Sequence, residues 1–183
     1  MKKQLILFFI LSVVIVIAGT YFLTRPTTKR EGTTSQNITK PDETANWKIA
    51  TTNKEGVSFK YPNLSTSYIR AQQWPPQVII TTGGFSCTEG GLGINGLPGM
   101  TIQKTIGNTT YCIANVSEGA AGTIFTTYDY SFERGSSLIK LEFILAYPQC
   151  ENYSEPDNTN CVNERQTFDL DVLVNKIAQT IRL

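Results

Sequence analysis

The fold is decided by residues 123–147, TIFTTYDYSFERGSSLIKLEFILAY. Apolar side chains occupy every second position of its second half: Ile139, Leu141, Phe143, Leu145 and Tyr147. Lys140 and Glu142 fall between them, so a strand over 138–147 buries one face and leaves the other in water. A second strand over 123–132, across the polar segment 133–137, predicts an antiparallel hairpin.

Six further strands are predicted before this hairpin, over 47–51, 57–61, 66–72, 77–82, 100–106 and 109–116. Trp74-Pro75-Pro76 separates the third of these strands from the fourth. Gly107 and Asn108 join the last two, and this pair supplies the positive φ angles of a tight hairpin turn.

The C-terminal segment changes from the period of a strand to that of a helix. Its apolar residues recur at helical spacing: Leu170, Leu173, Val174, Ile177 and Ile181. Asp169 and Asp171 fall in the predicted first turn and Arg182 in the last, where their charges complement the helix dipole. Strands followed by a helix predict an α+β domain built on an antiparallel sheet.

The N-terminus has the pattern of a membrane anchor. Residues 5–23 are uncharged and follow two lysines; as a helix they span about 28 Å, close to the thickness of a bilayer core. We therefore expect a signal-anchor transmembrane helix over 1–23, a disordered Thr-rich linker over 24–46 and an extracytoplasmic domain over 47–183. Cleavage after the small residues 18–20 stays open, although the apolar continuation 21–23 favours retention.

The four cysteines, Cys87, Cys112, Cys150 and Cys161, all fall in the predicted domain. An even number in an exported chain predicts two disulfides. Of the three possible pairings we favour Cys87–Cys112 and Cys150–Cys161, because each pair brackets a turn-rich segment. A zinc site is disfavoured, since the chain has no histidine and no C-x-x-C spacing. Disulfides would place the domain outside the cytoplasm.

Charge and composition argue against several classes of function. Residues 47–183 carry ten Lys or Arg and twelve Asp or Glu, a net charge of −2 without a basic stripe, so we expect no nucleic-acid partner. Without histidine there is no Ser-His or Cys-His pair. Asp129 and Glu142 fall on neighbouring predicted strands, but on the face expected to meet solvent. We therefore expect no enzyme activity and no cofactor.

Two polar segments suggest ligand sites. The loop between Cys150 and Cys161 concentrates oxygen ligands suited to calcium: Glu151, Glu155, Asp157, Asn158 and Asn160. Their spacing is not that of an EF-hand, and a solvated disulfide loop is the competing interpretation, which we favour. Residues 91–96 match G-x-G-x-x-G, but Pro98 follows where a nucleotide-binding helix should begin, so we expect a flexible surface loop.

Aromatic residues suggest a surface for a partner. Trp74, in the Trp-Pro-Pro segment, and Tyr128, Tyr130 and Tyr153 could together form an aromatic patch that contacts a protein or a glycan. Packing in the core or at a sheet edge is the alternative. Trp74 is the residue that we single out as a possible partner contact.

Several segments resemble a family of small membrane-anchored bacterial proteins without an assigned activity. Residues 55–62, EGVSFKYP, are similar to the GFSFKYP-type opening of that family. Residues 126–130 (TTYDY), 147–150 (YPQC) and 168–181 (FDLDVLVNKIAQTI) also resemble it. Such proteins in turn resemble the PsbP/Mog1-like sandwich, a non-catalytic binding fold. The resemblance implies a fold and a location, and no activity.

These observations predict a membrane-anchored, single-pass protein with its C-terminal domain outside the cytoplasm. We expect a non-catalytic binding domain of the cell envelope that contacts the membrane through its N-terminal helix and has an envelope protein as its partner. The alternative is a small-ligand or calcium-binding module that uses the Cys150–Cys161 loop.

Overall fold

The computed structural model of the chain describes residues 42–52, 56–64 and 66–183. The predicted signal-anchor, residues 1–23, and most of the predicted linker lie outside these ranges. Within them, no helix combines the length and the apolar character needed to cross a bilayer.

The described residues form eight strands and two α-helices. The strands are β1 Lys48–Thr51, β2 Ser58–Tyr61, β3 Arg70–Thr82, β4 Gly90–Leu92, β5 Pro98–Ile106, β6 Thr109–Ala120, β7 Thr123–Arg134 and β8 Ser137–Pro148. The helices are α1 Asp157–Thr167 and α2 Leu170–Thr180, with short 3₁₀ turns at Ile94–Gly96 and Cys150–Asn152. The predicted α+β class is confirmed.

Six strands form one antiparallel sheet in the order β3-β8-β7-β6-β5-β4, and β1 pairs separately with β2. The predicted hairpin around Gly107 and Asn108 is present, with Ile106 paired to Thr109. The turn between β6 and β7 places Ala121 at φ 46° and Gly122 at φ 74°, the positive angles that tight two-residue hairpins require. These turns fix the register of the sheet's central strands.

The core lies between one face of the six-stranded sheet and α2. Along β8 the predicted alternation is confirmed as far as residue 145, since Ile139, Leu141, Phe143 and Leu145 are fully buried. Tyr147, predicted on the same face, is only half-buried. Helix α2 turns its apolar stripe onto this face, with buried residues that include Val174, Ile177 and Ala178. Burying one such aliphatic side chain stabilises a fold by roughly 1.5–3 kcal/mol.

Strand β3 corrects the prediction of two strands interrupted at Trp74-Pro75-Pro76. One strand runs through both prolines, with irregular pairing to β8 between Ala71 and Gln77. Proline is tolerated here because β3 lies at the edge of the sheet, where a backbone N–H on the free side needs no strand partner.

Helix α1 is a second correction. The sequence predicts a polar loop after Cys150, but residues 157–167 are helical and Cys161 lies on the buried side of that helix. The other residues of this helix are almost all polar, so its sequence lacks the repeated apolar positions that predict an amphipathic helix. The position of α1 therefore depends on tertiary contacts more than on its own pattern.

The C-terminal basic residue is a third correction. Arg182 lies beyond α2, where its backbone forms an isolated antiparallel β-bridge with Ser58 of β2. The carbonyl groups at the end of α2 are bonded instead by Arg134 of β7, whose guanidinium donates to the oxygens of Ala178 and Ile181, both at 2.8 Å. A cation from a distant strand thus supplies the favourable charge at this helix end.

The carboxylate of Glu164 holds α1 to the chain that leads into β3. It accepts hydrogen bonds from three consecutive backbone N–H groups, those of Ser67, Tyr68 and Ile69, at 2.8, 2.8 and 2.7 Å. Hydrogen bonds to a charged group are stronger than neutral ones. This one side chain therefore connects the segment before β3 to a helix that follows β8.

We expect Glu164→Gln to lower the free energy of unfolding by about 1–3 kcal/mol, because the new amide nitrogen cannot accept a hydrogen bond. Urea unfolding measures this effect. Glu155→Gln is the matched control, since Glu155 is exposed and accepts a long bond of 3.4 Å from Thr159; its effect should stay within about 0.5 kcal/mol. Equal losses in the two variants would contradict the role of Glu164.

Candidate functional site

The two predicted disulfides are confirmed, with the predicted pairing. Cys87 bonds to Cys112 and Cys150 to Cys161, with Cα–Cα distances of 5.3 and 5.6 Å. The first ties the segment before β4 to β6, and the second ties the end of β8 to α1. Disulfides persist in oxidising compartments, so the domain belongs outside the reducing cytoplasm.

A cleft of about 480 Å³, which we name the aromatic cleft, lies where α1 ends and α2 begins. Its lining comes from three strands of the sheet and from residues 166–171 of the helical corner; the strand residues are Ile102, Ile113, Asn115, Tyr128 and Tyr130. The lining mixes aliphatic and aromatic side chains with polar ones. Such a combination is common in small-molecule and peptide sites.

Hydrogen bonds from the sheet fix the carboxylate of Asp171 at the rim of this cleft. The hydroxyl of Tyr130 donates to one oxygen at 2.6 Å, and the ammonium of Lys104 lies 2.5 Å from the other. The charge of Asp171 is therefore balanced by a neighbouring cation. This arrangement makes Asp171 a structural tie between α2 and β7.

The tyrosines around the cleft are held in their neutral form. Burial raises the pKa of Tyr130, and the Asp171 carboxylate raises it further. Burial also raises the pKa of Tyr128 and Tyr147, whose hydroxyl oxygens lie 3.0 Å apart, and it raises the pKa of Tyr111 to about 12. These hydroxyls remain protonated near neutral pH, as hydrogen-bonding groups and not as nucleophiles.

Two side-chain amides complete the lining of the aromatic cleft. Asn115 is half-buried on β6 and Gln166 is exposed at the end of α1. Within the described residues, neither side-chain amide is engaged in a hydrogen bond. Amides both donate and accept, so they suit a neutral polar ligand better than a charged one.

The calcium candidates lie on different parts of the Cys150–Cys161 segment. Glu151 is exposed on a 3₁₀ turn, Glu155 precedes α1, and Asp157, Asn158 and Asn160 lie on α1 itself. The amide of Asn158 donates to the carbonyl of Cys150 at 2.8 Å, and Asp157 accepts from the hydroxyl of Tyr68 at 3.1 Å. Across the described ranges, no three acidic or cysteine side chains are grouped to hold a metal ion.

The glycine-rich segment 91–96 is not the flexible loop that its sequence predicts. It forms β4, which pairs with β5, and a 3₁₀ turn that packs on β6. A Cβ on Gly93 would lie 2.0 Å from the carbonyl oxygen of Asn115, and one on Gly99 would lie 2.1 Å from the same atom. These glycines permit close backbone packing, and no helix follows them to bind a phosphate.

We expect Gly93→Ala to lower the free energy of unfolding by about 1–3 kcal/mol, because the new methyl group must displace backbone atoms. The control is Gly91→Ala, where a Cβ would meet nothing within 4 Å. Thermal unfolding of both variants, side by side, checks this prediction. A Gly93→Ala protein as stable as Gly91→Ala would show that the segment is not packed on β6.

Trp74 lies at the border between surface and core. Its indole N–H donates to the carbonyl of Pro62 at 2.8 Å, and its ring meets Phe143 edge-on with centroids 5.8 Å apart. A contact between Trp74 and a partner stays a prediction. Tyr128 and Tyr130 stack on the same buried Phe143, at 5.4 and 5.9 Å, which is the packing alternative. Tyr153 lies apart from them and pairs with Tyr68 at 5.5 Å.

Asp129 and Glu142 lie on neighbouring strands as predicted, but only Glu142 is partly exposed to solvent. Asp129 and Glu142 are direct partners across β7 and β8. Asp129, however, is buried and not solvated: its side chain is ion-paired with Lys140 at 2.6 Å and accepts a hydrogen bond from Ser131 at 2.9 Å. A paired and bonded carboxylate at this position stabilises the strand pair and is poorly placed for acid–base chemistry.

Comparison with protein-family models, with curated proteins and with solved structures gives no match for this chain.

Proposed function

We propose that the chain is a non-catalytic binding domain of the cell envelope, exposed outside the cytoplasm and anchored in the membrane by residues 1–23. The anchor is supported by the apolar run over residues 5–23. The location is supported by the two disulfides, which suit an oxidising compartment. A PsbP/Mog1-like arrangement belongs to the same proposal, supported by an antiparallel sheet with α2 packed on one face.

The observation that carries the proposal is the chemical state of the aromatic cleft. Its carboxylate at position 171 is balanced by Lys104 and bonded by Tyr130. Its tyrosines have raised pKa values and stay neutral. Groups of this kind recognise a ligand by hydrogen bonding and stacking, whereas acid–base or nucleophilic catalysis needs a group that titrates near the working pH.

The alternative, a small-ligand or calcium site in the Cys150–Cys161 segment, is less well supported. Asp157 and Asn158 already have hydrogen-bond partners within the fold, and the segment is partly helical. Binding there would require these contacts to be exchanged for a ligand. The alternative stays a prediction.

The location is tested by thiol alkylation of the full chain on intact cells, with a membrane-impermeant reductant and maleimide. We expect Cys87 and Cys112, which are partly exposed, to resist alkylation until the reductant is added and then to react without cell lysis. A Lys3→Cys variant is the control, because position 3 should be cytoplasmic and react only after lysis. Alkylation of Cys87, Cys112, Cys150 or Cys161 without reduction would contradict the proposal.

Binding is tested by photo-crosslinking of the full chain in its own membrane. A benzophenone side chain replaces one exposed residue at a time: Gln166 at the aromatic cleft, Thr81 at the edge of the sheet and Glu133 on the outer face. We expect a discrete adduct with another envelope component from one of these surfaces and not from all three. Three positions without any adduct would contradict a binding function.

A further inference from the structure

The two edges of the six-stranded sheet differ sharply in length. At one edge, β4 is a strand of 3 residues, and at the other, β3 is a strand of 13 residues. Proteins usually protect a long edge strand with prolines, charges or bulges, because its unpaired backbone groups attract another strand. A long edge strand without such protection is open to pairing with a further strand.

The protection of β3 is confined to its first half. Residues 70–76 contain Arg70, Pro75, Pro76 and the irregular pairing to β8. From Gln77 to Thr82 the pairing to β8 is regular, and the sequence QVIITT has neither a proline nor a charge. Within the described residues, this second half has no strand partner on its other side.

A cleft of about 630 Å³, which we name the edge groove, runs beside β3 from Pro75 to Ile80 and so overlaps the first four residues of this unprotected half. Strand β3 lines it with residues 75–80, and β1 contributes Ala50 and Thr51 from the opposite side. Strand β1 pairs with β2 and is itself an edge strand. The edge groove therefore lies between two strands whose outer edges are unpaired in the described part of the chain.

The lining of the edge groove defines the chemistry of what fits it. Each lining residue is uncharged, and Val78, Ile79 and Ile80 make the β3 side apolar. The backbone N–H and C=O groups at a free strand edge recur at every second residue, a spacing that another extended backbone matches. In a bound extended segment, every second side chain would contact the apolar lining of the edge groove.

We propose that the edge groove binds an extended, uncharged segment of a partner protein, which adds to the sheet as a strand beside Gln77–Thr82. This inference rests on the proposed binding function and assigns a protein partner to the edge groove, a surface separate from the aromatic cleft. Main-chain hydrogen bonds to β3 provide affinity, and the apolar lining selects side chains at alternate positions. At about 3.4 Å per residue, a segment of roughly six residues covers the unprotected half.

The test starts with the full chain in nanodiscs and a displayed library of random peptides. Each enriched peptide is then synthesised in two further forms, with N-methyl groups on one or the other alternate set of residues. An added strand bonds to its neighbour through every second residue. We expect one methylated set to weaken binding by about tenfold or more and the other set to leave it nearly unchanged.

Two variants of the protein test the same interaction by changing the groove instead of the peptide. Thr51→Lys places a charge in the edge groove and should weaken peptide binding by about tenfold. Gln103→Lys adds the same charge on exposed strand β5, away from the edge groove, and should leave binding unchanged. Circular dichroism checks that both variants are folded.

The proposal is overturned if no peptide is enriched, if the two methylated sets behave alike, or if Gln103→Lys weakens binding as much as Thr51→Lys. It is also overturned if light scattering shows a dimer that Thr51→Lys dissociates, because a second copy of the chain would then occupy the edge groove. A photo-crosslinked adduct at Gln166 alone, with these peptide tests negative, would remove this inference and keep the binding function.

Discussion

The burial of one face of β8 is the constraint on which the rest of the domain depends. This strand pairs with β3 on one side and β7 on the other, and its side chains at 139, 141, 143 and 145 are fully buried. A face of this kind must be covered, and α2 covers it with its apolar stripe. Asp171 and Arg134 then hold the two ends of α2 to the sheet.

Much of this arrangement is predictable from the sequence, because strong local periodicity agrees with the tertiary burial. The strands β5 to β8, helix α2 and both disulfides follow from alternation, helical spacing and the placement of cysteines. Helix α1 does not follow, since its residues are almost all polar. Its position is set by contacts that link distant parts of the chain, the Glu164 carboxylate and the Cys150–Cys161 disulfide.

The candidate sites are less predictable than the fold. The aromatic cleft combines residues from β5, β6 and β7 with the corner between two helices, and only the register of the sheet brings Asn115 beside Tyr128. The edge groove depends on strand order: the sequence shows the uncharged run at 77–82 but not that it lies at an edge. The local sequence pattern also predicts a flexible glycine-rich segment. In the structure, however, Gly93 and Gly99 lie so close to the carbonyl oxygen of Asn115 on β6 that neither position has room for a Cβ.

The domain thus combines a buried core with an edge strand, Gln77–Thr82 of β3, that has no strand partner on its outer side within the described residues. We propose that this edge binds the partner. Amide hydrogen exchange of the full chain tests it most directly. Along Gln77–Thr82 the account predicts an alternating pattern, with slow exchange at amides bonded to β8 and fast exchange at amides directed to the edge groove. Uniformly slow exchange over this stretch would contradict it, because every amide of β3 would then already have a partner.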